Sequence, residues 1–248
     1  MESDFVGKDI IMFNSLESTN EYCKEMLNNR EIPEGTVISA RWQSEGKGQG
    51  DNSWESSAGE NLTFSIILHP LFLNISDQFF ISMITSLGIA DFLRQFTNNV
   101  LIKWPNDIFI GNKKIAGILI ENSVMDNKIT DSIVGIGINI NQVSFGSHIP
   151  NAISLRSIVP EPPPLDNCLE SLCKNIDHWY SMLKQDRKED IKTKYTDRLF
   201  RLNQQHLYRE RNKIFKGTVT GVDNFGRLAL RTQAGRTRYF GLNEVDFL

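Results

Sequence analysis

The chain has 248 residues, 40 % of them hydrophobic and 23 % charged, with a net charge of −3. A chain of this length buries roughly 70–75 % of its unfolded surface, so neither a disulfide framework nor a structural metal is required for stability. The charge balance lacks the basic footprint of a nucleic-acid-binding surface.

The first element expected is a helix opening at Ser18-Thr19-Asn20-Glu21, where Ser18 and Glu21 have capping-box spacing, and running to about Asn29. Strands are expected over residues 36–40 and 61–68, on either side of a Gly-rich stretch over 46–59. Residues 79–96 have helical spacing, with Phe80, Met83, Ile84, Leu87 and Ala90 on one side. Short strands follow over 100–103, 107–110, 114–121 and 129–140, the last two joined by a turn at Asp126-Asn127. A proline-rich loop precedes two helices, over 166–184 and 188–200. From about Asn203 the texture changes to short β-like pieces over 214–222, 227–232 and 236–240, separated by turn residues. The pattern is that of an α+β catalytic body over residues 1–202 with a small barrel-like β domain over 203–248.

Cys23, Cys168 and Cys173 form no C-x-x-C, and the four histidines form no H-x-x-x-H. Free thiols and no protein-held metal are therefore expected. The first ten residues carry no apolar signal region, and no run of about 18 apolar residues exists. The expected location is the cytoplasm, with no membrane partner.

Four segments carry chemistry. Glu17-Ser18-Thr19-Asn20 places hydroxyls and an amide at a helix start, either as an ordinary N-cap or as a grip on a polar small molecule. The segment Gln43-Ser44-Glu45-Gly46-Lys47-Gly48-Gln49-Gly50-Asp51-Asn52-Ser53-Trp54 has three glycines whose N–H groups can approach an anion. It is not a P-loop, because no G-K-[ST] follows at the required spacing. Lys103-Trp104-Pro105-Asn106-Asp107, followed by Lys114-Ile115-Ala116-Gly117-Ile118-Leu119, sets oxygen-bearing groups beside lysines. Gly135-Ile136-Gly137-Ile138-Asn139 puts glycines inside a strand, which signals close approach of a ligand or another chain segment.

In this order and spacing the four segments resemble the biotin protein ligase family. The likeness covers about residues 10–145 by motif and the rest by domain order. It implies a mixed-sheet catalytic domain of the biotin/lipoate ligase type and a small SH3-like C-terminal β-barrel domain. The implied activity joins biotin and ATP, with Mg²⁺, into biotinyl-5′-AMP. Biotin then passes to a lysine of a biotin carboxyl carrier protein or domain. The resemblance assigns Ser18, Thr19, Asn20, Gln43, Lys47, Gly48, Gln49 and Lys114 to biotin and its adenylate. It assigns Trp54, Asn106 and Asn139 to the nucleotide, and Lys114, Asp107 and Lys103 to catalysis, with Asp107 facing the acceptor lysine.

The chain departs from the family in the loop, which usually reads Gly-Arg-Gly-Arg-x-Gly. Lys47 and Gln49 stand for the arginines, and Asp51 stands for a glycine. Lysine is not equivalent to a bidentate phosphate contact, so weaker retention of the adenylate is expected. Ser18 also lies too near the start for a DNA-reading helix-turn-helix to precede it, so no DNA partner is expected. The strand over 129–140 is available for pairing across a homodimer, as in many family members, or for cover within the chain. The rival readings are a lipoate or octanoate transferase on the same fold and a non-catalytic biotin-binding module.

Overall fold

A computed structural model describes residues 5–50 and 52–248. A seven-stranded mixed sheet forms the larger part, and a five-stranded antiparallel sheet forms the C-terminal part. The large sheet comprises β1 (Ile10–Phe13), β2 (Val37–Ala40), β3 (Leu62–Leu68), β4 (Val100–Lys103), β5 (Asp107–Ile110), β6 (Lys113–Met125) and β7 (Lys128–Ile138). Its order is β1-β2-β3-β7-β6-β5-β4. Only β1 and β2 pair in parallel. The β6–β7 turn has Asp126 and Asn127 at φ 48° and 64°, the left-handed pair that a two-residue hairpin demands.

The sheet is covered on both faces, which is why every residue of β3 is buried. One face carries α2 (Phe79–Leu93), α3 (Leu165–Lys184) and α4 (Lys188–Asp197) over the main core, including Phe64, Ile66, Leu87, Leu172 and Ile176. The expected one-sided pattern of α2 is corrected: all its residues except Phe79 and Asp91 are buried. It is packed on the sheet and on both neighbouring helices, so no side of it is left for water. Gly88 allows the close α2–α3 approach. A methyl there would meet Ile176 Cα at 2.8 Å.

The opposite face carries α1 (Thr19–Asn29) over a smaller cluster of Cys23, Met26, Ile38, Ile67 and Ile133. The expected capping box is absent, since the Ser18 side chain makes no cap hydrogen bond. Instead the Thr19 N–H donates to Gln43 Oε1 at 2.7 Å, while Glu21 turns to Lys47 and Lys24.

The C-terminal sheet contains β8 (Gln205–Glu210), β9 (Lys213–Val222), β10 (Leu228–Thr232), β11 (Thr237–Phe240) and β12 (Asp246–Phe247), in the order β11-β10-β9-β8-β12. Its 223–227 turn touches the larger part through a buried bond: Trp104 Nε1 donates to the Gly226 carbonyl at 2.8 Å. Gly226 has φ 80°, and a methyl on it would lie 2.1 Å from Phe79 Cγ. No helix among the described residues is long and apolar enough to cross a membrane.

Candidate functional site

The period of two along a strand decides which residues face α1. On β7 they are Ile133, Gly135 and Gly137. Their partners across the ladder on β6 are Glu121, Leu119 and Gly117. Three of these six positions therefore carry no side chain, and the sheet is hollow there. The space is a cavity of about 350 Å³. Its walls come from the α1 start, the Gly-rich loop and the Asn106-Asp107 turn.

The glycines have specific neighbours. A methyl on Gly135 would fall 2.4 Å from Asn20 Oδ1. One on Gly137 would fall 2.2 Å from Trp54 Cε2, and one on Gly117 would fall 3.2 Å from Trp54 Cζ3. The Trp54 indole thus lies across a shelf made by the Gly117–Gly137 pair. Its Nε1–H is buried and has no hydrogen-bond partner among the described residues. Such an unmade bond costs about 1–3 kcal/mol, so an oxygen-bearing ligand that supplies an acceptor is favoured there.

Ser18, Thr19 and Asn20 are all buried and line one wall. Ser65 Oγ lies 2.7 Å from Thr19 Oγ1 and 2.6 Å from Asn20 Oδ1. Asn20 Nδ2 donates to Glu121 Oε2 at 2.7 Å. The polar groups are thereby fixed in orientation before any ligand arrives. Ser65 and Glu121 were not singled out in the sequence. The available signal for Ser65 was a hydroxyl inside the mostly apolar run Leu62–Leu68, which it shares with Thr63.

At the other wall Lys114 Nζ pairs with Asp107 Oδ1 at 2.6 Å and lies 5.8 Å from the Trp54 ring centroid. Lys114 is the second residue of β6, and Asp107 opens β5 opposite Gly117. The hairpin register therefore brings together two residues separated in sequence. Asn106 also lines the cavity. Its Nδ2 donates to the Ile118 carbonyl at 2.9 Å, and the Ile118 N–H returns a bond to the Asn106 carbonyl at 2.9 Å. That side chain holds the turn against β6.

Two expected residues stand off the cavity. Lys103 pairs in register with Asp107, but its ammonium lies over the rings of Phe109 and Phe247, at 5.0 and 5.6 Å. Burial lowers its pKa below the ordinary lysine value; Asp107 opposes the shift, and Lys114 and Arg201 add to it. Asn139 is buried, and its Nδ2 donates to the Ile153 carbonyl at 3.1 Å.

The Gly-rich loop closes on itself. Lys47 and Ser53 bridge as in a hairpin, Gly48 N–H donates to the Asn52 carbonyl, and Trp54 N–H donates to the Gly46 carbonyl. Lys47, Gly48 and Gln49 line the cavity with Gln43. Asp51 lies outside the described residues. No cluster of three metal-ligating side chains occurs among the described residues.

The biotin/lipoate A/B protein ligase family model matches residues 12–139. A model of the biotin protein ligase C terminal domain matches residues 207–248. The chain is 28 % identical over 240 residues to the bifunctional ligase/repressor BirA of Bacillus subtilis, covering 95 % of this chain and 73 % of the relative. It is 27 % identical over 206 residues to the biotin--[acetyl-CoA-carboxylase] ligase of Paracoccus denitrificans, covering 80 % of this chain and 85 % of the relative. In fold it is similar to the biotin protein ligase from Aquifex aeolicus in complex with biotin and ATP. The TM-score is 0.80 at 24 % identity, over 97 % of this chain and 99 % of that one.

Proposed function

The chain belongs to the biotin/lipoate A/B protein ligase family, and from that premise we propose that it is an ATP-dependent biotin protein ligase. It forms biotinyl-5′-AMP and transfers biotin to a lysine of a biotin carboxyl carrier domain. The observation that carries this reading is the glycine-floored cavity with Lys114 at one wall and the Ser18-Thr19-Asn20 groups at the other.

The acid group of the substrate must approach the α-phosphate of ATP, anion against anion. The Lys114 ammonium and the loop N–H groups offset that repulsion as charge builds. Mg²⁺ enters with ATP as part of the substrate, since such ions keep phosphates and waters as most of their ligands. The Ser18, Thr19, Asn20 and Gln43 groups suit the polar head of biotin, and the hollow above Gly135 and Gly137 suits its bicycle. Trp54 and Asn106 serve the nucleotide side, where Trp54 supplies a ring face and Asn106 holds the turn, while Asn139, off the cavity, holds the adjoining segment through its bond to the Ile153 carbonyl. Asp107 accepts the proton that the acceptor amine must lose before it attacks the acyl carbon. Its ion pair with Lys114 keeps the carboxylate directed at the cavity.

Residues 1–202 form the catalytic domain and 203–248 the C-terminal domain. The match of the latter to the biotin protein ligase C terminal domain favours biotin over lipoate. The cytoplasm, where carrier domains and ATP are available, is the expected location.

The test is a two-stage assay with biotin, ATP and Mg²⁺. Pyrophosphate release is followed first, and then the mass gain of an added carrier domain on one lysine. Both are expected, with lipoate failing to substitute. Lipoate replacing biotin with equal efficiency, or no pyrophosphate with any short acyl acid, would overturn the reading.

A further inference from the structure

Lys47 bridges Ser53 and the Gly48 N–H donates to the Asn52 carbonyl, so the described residues of the Gly-rich segment 47–53 bond chiefly to one another. Among the described residues, one side-chain bond ties it to the rest: Lys47 Nζ donates to Glu21 Oε1 at 2.6 Å. Glu21 lies in the first turn of α1, next to Asn20. The charges continue beyond that pair. Lys24 Nζ lies 2.9 Å from the same Glu21 oxygen and 2.6 Å from Glu121 Oε1. Glu121 in turn accepts from Asn20 at the cavity wall. Two cations and two carboxylates thus alternate from the loop to a group that lines the cavity.

We propose that Glu21 is a positioning residue, which by pairing with Lys47 latches the Gly-rich loop over the cavity and holds that ammonium at its rim. The inference rests on the ligase reading for its purpose and on geometry for its existence. Glu21 does not line the cavity itself, so it acts through Lys47. Its carboxyl is held below the ordinary range by the hydrogen bonds from Lys47 and Lys24, so the latch is charged at neutral pH. Both partners are more than a third exposed. The latch is therefore weak and reversible, as a loop that must admit substrates requires.

The experiment uses the intact chain and limited trypsin digestion. Cleavage is followed as appearance of the 1–47 and 48–248 fragments by mass spectrometry. In Glu21→Gln the loop loses its tether while Lys47 remains. Cleavage after Lys47 is expected to accelerate about three- to fivefold at low salt, the equilibrium shift that an exposed ion pair supports. Glu21→Asp should recover most of the protection. Raising NaCl toward 1 M, where the Debye length falls to about 3 Å, should bring the wild type up to the Gln variant. The dissociation rate of biotinyl-AMP should rise in parallel. Equal cleavage of wild type and Glu21→Gln at low salt overturns the proposal, and so does an acceleration that salt leaves unchanged. If cleavage follows the expected pattern but no adenylate forms, the latch stands and the ligase reading falls.

Discussion

Replacing Gly137 by alanine tests the shelf on which Trp54 rests. The new methyl would sit 2.2 Å from Trp54 Cε2, with Cδ2 and Cζ2 both at 2.6 Å. An ordinary carbon–carbon contact is about 3.5–4.0 Å, so the indole must retreat by roughly 1.3–1.8 Å. Overpacking of this kind costs about 1–3 kcal/mol. Alanine in place of glycine returns about 0.5–1 kcal/mol of backbone entropy. The net expectation is a destabilisation of about 0.5–2 kcal/mol, measured as the shift in urea denaturation followed by far-UV circular dichroism. With Trp54→Ala already in place the obstruction is gone, and Gly137→Ala becomes neutral or stabilising by the entropy gain alone. The double-mutant cycle should therefore show a coupling of about 1–3 kcal/mol. Nucleotide affinity should fall in Gly137→Ala, because a displaced indole no longer presents its face. Additivity of the two substitutions within about 0.5 kcal/mol would refute the argument that the glycine exists to seat the indole.

Three further outcomes follow from the same geometry. Lys114→Ala should lower the rate of pyrophosphate release by about 10²–10³-fold, the usual cost of removing one fixed electrostatic stabiliser, and a change under threefold would remove Lys114 from the chemistry. Trp104→Phe leaves the buried Gly226 carbonyl without its donor, so a loss of about 1–3 kcal/mol is expected in denaturation, with the 203–248 part becoming more susceptible to proteolysis. Burial raises the thiols of Cys23 and Cys173 to about 12 and that of Cys168 to about 11. All three should resist iodoacetamide at pH 8 in the native protein and react on denaturation; rapid native labelling of any of them would contradict their placement.

Much of the larger sheet was legible in the sequence because its strands are strongly apolar. β4 and β5 lie where the pattern put them, and β3 and β7 differ by one or two residues at their ends. The strands that escaped notice had little pattern to read. β8 buries only Tyr208 of its six residues, β12 is two residues long, and β1 is a four-residue edge strand. The helix start was read correctly, but its cap was not. The hydrogen bond goes to Gln43, which the β1–α1 and β2–loop connections bring together across 24 positions of sequence. The site was legible as residue types. Glycines inside β7 signalled close approach, but naming Asn20 and Trp54 as what approaches them requires the register of β6 against β7. Lys103 shows the limit of motif reading: the register places it beside Asp107, while its ammonium leans away over Phe247 of the other sheet.

The joint between the two sheets is asymmetric in what it asks of each side. At the 223–227 turn the larger part contributes a particular side chain, the Trp104 indole, and the C-terminal part answers with a carbonyl and the space left by a missing Cβ, while elsewhere Phe247 packs near Phe200 and Asn224 Oδ1 accepts from Lys192. At that turn the C-terminal part is specified by the path of its main chain and by one glycine at φ 80°. Phe225 in the same turn is largely exposed and is free to change without loosening the Trp104 contact, whereas Asn224 is tied to Lys192 of the larger part. A C-terminal part exchanged from a relative should dock on Trp104 if it keeps the turn length and the glycine, together with side chains that replace Phe247 and Asn224 at their contacts.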